Sequence, residues 1–304
     1  MVFWIVAGGK DRSLKRMWAV MAATAFSLEG ILARGALATG TDALTVLWLR
    51  FLLAFLAVGA AQLLFPPREK KLPSRDLGVL LASGVGYAVT AFLLFAAFQR
   101  IATSLAILLL FLYPGLVALG SHLLGRERLT PRHGVALLLA FAGLALLTGT
   151  SLQGSLEGIL FALGAAVTNA LTLLLQQPVM GRVSAYRALT PLLGSAAAAS
   201  LLLAVFSGKP LWAAGGSWPF LAGLALFPSV AAILGVNKSL QVLGAANTAL
   251  LLSLETPLAA LWGALWLGER FTPLQALGGL LVIFGITWVQ TQTGGGGAIR
   301  ESAG

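Results

Sequence analysis

Ten runs of mainly apolar residues follow one another along the chain, most reaching the roughly 17 to 25 residues that cross a hydrocarbon layer about 30 Å thick. Within lipid no water is at hand for backbone polar groups, so such a run has to bond internally, as a helix does. The expected spans are Met17 to Leu37, Leu44 to Phe65, Leu77 to Phe98, Ala102 to Leu124, Gly134 to Thr148, Leu156 to Gln176, Ala188 to Phe206, Pro219 to Ser239, Ala245 to Leu267 and Leu274 to Val289. Turn and charge signals separate them: Thr39-Gly40-Thr41-Asp42, Pro66-Pro67-Arg68-Glu69-Lys70-Lys71, Gly125-Arg126-Glu127-Arg128, Gln177-Pro178, Ser207-Gly208-Lys209-Pro210 and Gly268-Glu269-Arg270. All connections are short, which places any activity inside the helical bundle.

Composition supports that reading, since 58% of residues are hydrophobic and only 10% charged, against about 25% charged in a soluble domain. The absence of cysteine excludes disulfides, thiolate metal sites and cysteine nucleophiles, and two histidines, His122 and His133, offer little to a metal. No cofactor or metal is implied. The net charge of +10 does not read as a nucleic-acid surface, because the bases sit in short clusters between apolar runs. Membrane topology accounts for them better. With the N-terminus inside, fifteen bases (Lys10, Arg12, Lys15, Arg16, Arg68, Lys70, Lys71, Arg75, Arg126, Arg128, Arg132, Arg182, Arg187, Lys238 and Arg300) fall on the cytoplasmic side. Five (Arg34, Arg50, Arg100, Lys209 and Arg270) fall outside, so both termini are expected in the cytoplasm. The bases before Met17 and the Ala36-Leu37-Ala38 triplet imitate a cleaved leader. The run is longer than a leader core, carries Glu29 and has a counterpart in the second half, so it reads as the first span.

The chain also matches itself. A shift of 143 positions lays Ala102, Ala106, Leu108, Leu109 and Pro114 on Ala245, Ala249, Leu251, Leu252 and Pro257. After a one-residue gap, Glu127, Arg128, Thr130 and Pro131 fall on Glu269, Arg270, Thr272 and Pro273, and Leu138, Leu139 and Gly143 on Leu280, Leu281 and Gly285. Five spans per half is an odd number, so the second copy enters the membrane from the opposite side. Inverted repeats of this kind build many secondary transporters, with the substrate near the midplane between the halves. The expected organisation is a cytoplasmic segment 1–16, a first five-helix repeat 17–150, an inverted second repeat 151–291 and a disordered tail 292–304.

Ala245, Ala249, Pro257, Gly268-Glu269-Arg270, Thr272-Pro273 and Gly285, repeated more loosely from Ala102 to Gly143, resemble the drug/metabolite transporter superfamily and its EamA-type ten-helix exporters. Leu49-Arg50-Phe51 is similar to that family's arginine early in the second span. The resemblance covers residues 15 to 291 and is greatest to YddG-type amino-acid exporters. It implies an all-α membrane protein of ten helices, two inverted five-helix repeats around a central cavity, in a bacterial inner membrane. The function it implies is export of small metabolites, amino acids including aromatic ones, by alternating access.

Ionisable side chains at membrane depth are costly, which makes each a candidate for function. Glu255 lies near the middle of the ninth span and is followed by Thr256-Pro257. Either it binds an amino group or a coupling proton, or it is a hydrogen-bonded structural carboxyl. Glu29, in the first span, is either a second charge lining the cavity or the ion-pair partner of Arg34 or Arg50. Lys238 reads as a side chain snorkelling to the headgroups. Pro114 and Pro257 are expected to kink the fourth and ninth spans and to free a carbonyl one turn earlier. Polar candidates are Ser27, Asn169, Asn247 and Ser253, of which Ser27 and Asn169 overlay at a shift of 142. Either they line a pseudo-twofold site or they hydrogen-bond between helices. Tyr87, Tyr113 and Trp262 are candidate stacking surfaces, and a mid-span tyrosine needs a hydroxyl partner. Trp18, Trp48, Trp212, Trp218, Trp266 and Trp288 read as interfacial anchors.

The partners expected are a small molecule, membrane lipid and a coupling proton, with no nucleic acid. A multidrug or nucleoside exporter of the same superfamily is the alternative. A non-transporting assembly protein or an intramembrane enzyme ranks far below, because no metalloprotease or serine-hydrolase motif occurs, and the lack of a phosphate-binding loop excludes an ATP-driven pump.

Overall fold

The computed structural model describes residues 10–67, 72–127, 130–148, 155–267 and 272–292. The basic segment 68–71, the Gly268-Glu269-Arg270 turn and the tail from 293 onward lie outside the described residues. The described residues form the helices α1 (Lys10–Ser27), α2 (Glu29–Ala38), α3 (Ala43–Leu64), α4 (Ser74–Phe98), α5 (Thr103–Leu110), α6 (Tyr113–Leu123), α7 (Pro131–Thr148), α8 (Leu156–Met180), α9 (Ala185–Phe206), α10 (Trp218–Leu224), α11 (Ala232–Leu243), α12 (Ala245–Leu252), α13 (Glu255–Leu267) and α14 (Pro273–Gln292). Joined at their breaks, these give eight helices long and apolar enough to cross a membrane, together with shorter apolar helices at Pro131–Leu147 and Pro273–Ile286. The result is ten helices in two inverted five-helix repeats.

The packing repeats with the sequence. α7 lies on α14, α3 on α9, and α6 on α12, three contacts that pair each span with its own counterpart. The contact of α4 with α8 is mirrored by that of α11 with α1. Lipid supplies little hydrophobic drive between helices, so close backbone approach through small residues holds such contacts. Gly143 of α7 faces Gly278 of α14, and a Cβ on either would meet the other's carbonyl oxygen. The Ala162, Ala166, Ala170 stripe is buried, whereas Ala198 in the Gly194-x-x-x-Ala198 pair is exposed.

Two helices depart from the expected spans for identifiable reasons. α8 runs on through Gln177-Pro178 to Met180, where the sequence predicts a break. Pro178 has no N–H for the Leu174 carbonyl, and the Arg126 guanidinium donates to that oxygen at 2.6 Å instead. The eighth span is not a plain helix, because Ala225–Ala231, which contains Pro228, is a π segment between α10 and α11. π turns of this kind absorb an extra residue and are common at functional sites.

Polar ties join the two halves at each end of the bundle. At one end, Thr39 and Thr41 share the Ser217 hydroxyl, Thr45 donates to the Pro210 carbonyl, and Lys209 pairs with Asp42 at 3.1 Å. At the other, Arg182 pairs with the buried Asp76 at 2.5 Å, which holds the guanidinium above its already high pKa. There too, Gln62 donates to the Tyr186 carbonyl at 2.6 Å and accepts from Thr190 at 2.8 Å.

Candidate functional site

Three spans break near mid-depth, and each break puts a polar candidate on the first residue of the half-helix that follows. The first span breaks at Leu28 ahead of Glu29, the fourth at Phe111-Leu112 ahead of Tyr113, and the ninth at Ser253-Leu254 ahead of Glu255. Ten residues of the ninth span precede Glu255, and at about 1.5 Å per residue that places it about 15 Å in, near the bilayer centre. The fourth and ninth breaks are copies. Leu112 N bonds to Leu109 O at 3.2 Å and Leu116 N to Leu112 O at 3.1 Å, while Leu254 N bonds to Leu251 O at 3.1 Å and Leu258 N to Leu254 O at 3.2 Å. The structural register is therefore 142 residues here, not the 143 at which Pro114 matches Pro257, and Tyr113 is the counterpart of Glu255.

The prolines fit this geometry more gently than a kink inside an unbroken helix. Both lie in the first turn of a new half-helix, where a missing N–H breaks no intrahelical bond. A helix N-terminus also carries partial positive charge, so Glu29 and Glu255 sit where a carboxylate is best tolerated.

Around the breaks the side chains converge. Arg50 of α3 donates to the Glu29 carboxylate, the ion pair that the sequence raised as one reading of Glu29. Its Nε is buried and has no hydrogen-bond partner among the described residues. The guanidinium also lies 4.6 Å from the Phe51 ring centroid. Glu255 is within electrostatic range of both Glu29 and Tyr113, and Tyr113 of Tyr87. The Glu255 carboxylate itself makes no hydrogen bond or ion pair with any described residue. The Tyr87 hydroxyl donates to Gln176 Oε1 at 3.4 Å. Tyr113 is buried, and its ring lies tilted against Phe111 with centroids 5.8 Å apart. Trp262 donates from Nε1 to Ser27 Oγ at 2.9 Å and stacks on Trp266 with centroids 5.1 Å apart. Ser27 in turn donates to the Thr24 carbonyl at 2.7 Å, so its hydroxyl bridges the first and ninth spans. Ser253 and Pro114 line a cavity of about 20 Å³ with Phe111, Leu137 and Val282. That volume suits one water and no metabolite.

Not every candidate joins the cluster. Asn247 lies in the first turn of α12, where it donates to the Leu243 carbonyl at 3.2 Å. Nearby, Glu127 Oε1 accepts from Ala245 N at 2.7 Å, Ala246 N at 3.2 Å and Gln177 Nε2 at 3.1 Å. Asn169, paired with Ser27 by sequence, lies in the continuous α8 and has no side-chain hydrogen bond among the described residues. The two halves are thus not equivalent at that depth. Two members escaped the sequence reading as site residues. In the sequence Arg50 reads only as a family-like arginine and a partner for Glu29. Gln176 is fully buried, with Nε2 unpartnered, and stood concealed beside the expected Gln177-Pro178 break.

Ten membrane-crossing helices, duplicated with inverted topology and broken at mid-depth around ionisable side chains, define a multi-pass protein built as a membrane transporter. The EamA-like transporter family model matches residues 14–149 and again residues 156–291. The chain belongs to that family. An uncharacterized transporter of Archaeoglobus fulgidus is 29% identical over 251 residues, covering 81% of this chain and 86% of the relative. A crystal structure of a further protein superposes with a TM-score of 0.79, covering 92% of this chain and 97% of the other, at 20% identity. That likeness speaks for the fold alone.

Proposed function

We propose that the protein exports small zwitterionic metabolites, amino acids including aromatic ones, across a bacterial inner membrane by alternating access between its two repeats, with both termini cytoplasmic. The observation that carries this reading is the Glu255 carboxylate. It stands at mid-depth without a hydrogen bond or ion pair to any described residue, beside the Glu29–Arg50 pair whose Nε is also unpartnered. Such a group is stable only opposite water, a proton or a cation. An ammonium on Glu255 and a carboxylate on Arg50 Nε would satisfy both orphaned groups at once, which is the charge pattern of an α-amino acid. Tyr87, Tyr113 and Trp262 supply ring faces for a side chain, and a proton on Glu255 offers a route to coupling. A second reading has its own support: two carboxylates to one guanidinium leave the cluster net acidic, which suits a cationic drug.

The test is flux of a labelled panel of amino acids, cationic drugs and nucleosides through the reconstituted protein. Neutral amino acids, aromatic ones among them, are expected to move. Movement of cationic drugs without amino-acid flux would assign the protein to the drug-exporting branch.

A further inference from the structure

Away from the broken helices, a groove of about 630 Å³ opens between α3, α4 and α9. Phe55, Leu72, Leu77, Leu81 and Gly194 give it apolar walls, and Leu77 and Leu81 are exposed. It lies at the end of the bundle where Arg182 is tied to Asp76. Nearly every polar group in or beside it is already engaged. Thr190 donates to Gln62 at 2.8 Å, and Ser195 donates to the Pro191 carbonyl at 2.8 Å. Both Asp76 oxygens accept from Arg182. The exception is Arg187, in the first turn of α9. Its guanidinium makes no hydrogen bond or ion pair with a described residue, and its Nε is buried without a partner.

A half-buried guanidinium paired with no acid among the described residues is an incomplete ion pair, and a guanidinium fork matches a phosphate with two parallel hydrogen bonds. An apolar trough running from such a cation has the form of a lipid, head at one end and chain along the other. We infer that the groove is a binding site for an anionic phospholipid, with its headgroup phosphate on Arg187 and an acyl chain along Leu77, Leu81 and Phe55. The surrounding sequence favours an acidic over a zwitterionic headgroup. Arg75 and Arg182 lie close in the chain to the groove residues, and Arg68, Lys70 and Lys71 shortly precede Leu72 with Glu69 as the one acid among them. Basic pockets between membrane helices bind acidic headgroups in this way. The site is separate from the Glu255 cluster and does not depend on what that cluster carries.

The experiment is native mass spectrometry of the protein released from nanodiscs of equal phosphatidylglycerol and phosphatidylcholine. Wild type is expected to retain phosphatidylglycerol in preference. Arg187→Gln is expected to weaken that preference about tenfold, the factor for one lost charge-assisted hydrogen bond. Arg187→Lys should keep a part of it, and Leu81→Trp, which fills the trough, should lower retention of both lipids. If Arg187→Gln does not fold, the lysine and tryptophan variants carry the test. Equal retention of the two lipids by wild type, an unchanged preference in Arg187→Gln, displacement by millimolar inorganic phosphate, or a second protein copy lost on Leu81→Trp would each overturn the inference.

Discussion

Glu127, in the bend that follows α6, closes the start of the ninth span, and Glu127→Ala puts a number on that tie. Its Oε1 takes the N–H groups of Ala245 and Ala246 at 2.7 and 3.2 Å, and the Gln177 amide at 3.1 Å. Ala245 and Ala246 are 0% and 4% exposed, so water cannot replace the lost acceptor. Losing a helix cap costs about 1 to 2 kcal/mol, and a further buried donor left unpaired adds about 1 to 3 kcal/mol. A total of roughly 3 kcal/mol should lower the melting temperature by roughly 10 °C. Glu127→Gln keeps an oxygen in place but not its charge, and should cost about half as much. Gly244→Ala tests the same contact from the other side, because φ there is +82° and an added Cβ would lie 2.6 Å from the Glu127 oxygen. Intrinsic tryptophan fluorescence on heating suits a chain with eight tryptophans and no cysteine. A Glu127→Ala protein that melts with the wild type would refute the claim that this carboxylate caps the helix.

The charge split predicts that a cysteine at position 128 is labelled from the cytoplasm and one at position 270 from outside, on a background without other cysteines. Labelling of both from one face would contradict the inverted topology. Gly143→Val is expected to destabilise the protein by about 1 to 3 kcal/mol, since its side chain has nowhere to go but into the α14 backbone. Thermal melts with Gly115→Val as the control, at a glycine with open space around it, would show whether that contact matters.

Much of this fold can be read from hydropathy alone, because a run of about 20 apolar residues has few outcomes in lipid. The repeat added the inverted topology. What the sequence could not supply were the helix breaks. Nothing in Phe111-Leu112 or Ser253-Leu254 is a strong breaker, and the prolines next to them signal a disturbance without fixing its register, so the pairing of Tyr113 with Glu255 was one residue out of reach. Pro178 misled in the opposite direction, since an arginine from another helix takes up its orphaned carbonyl. Charge was informative where it stood alone in an apolar run, as with Glu255 and Glu29. It was silent on Gln176, an uncharged side chain at the edge of a span, and on Glu127, which read as a loop residue although its match with Glu269 marked it.

We propose Glu255 as the cation-facing group of a transport site. The direct measurement is counterflow of labelled phenylalanine into proteoliposomes containing wild type or Glu255→Gln, matched for folded yield and followed across pH. The glutamine preserves size and most hydrogen bonding, so packing at the α13 N-terminus should hardly change. Wild-type flux should depend on pH, whereas the variant should fold normally, transport far more slowly and lose that dependence. Full flux by Glu255→Gln with an unchanged pH profile would reduce Glu255 to a structural residue and contradict the account.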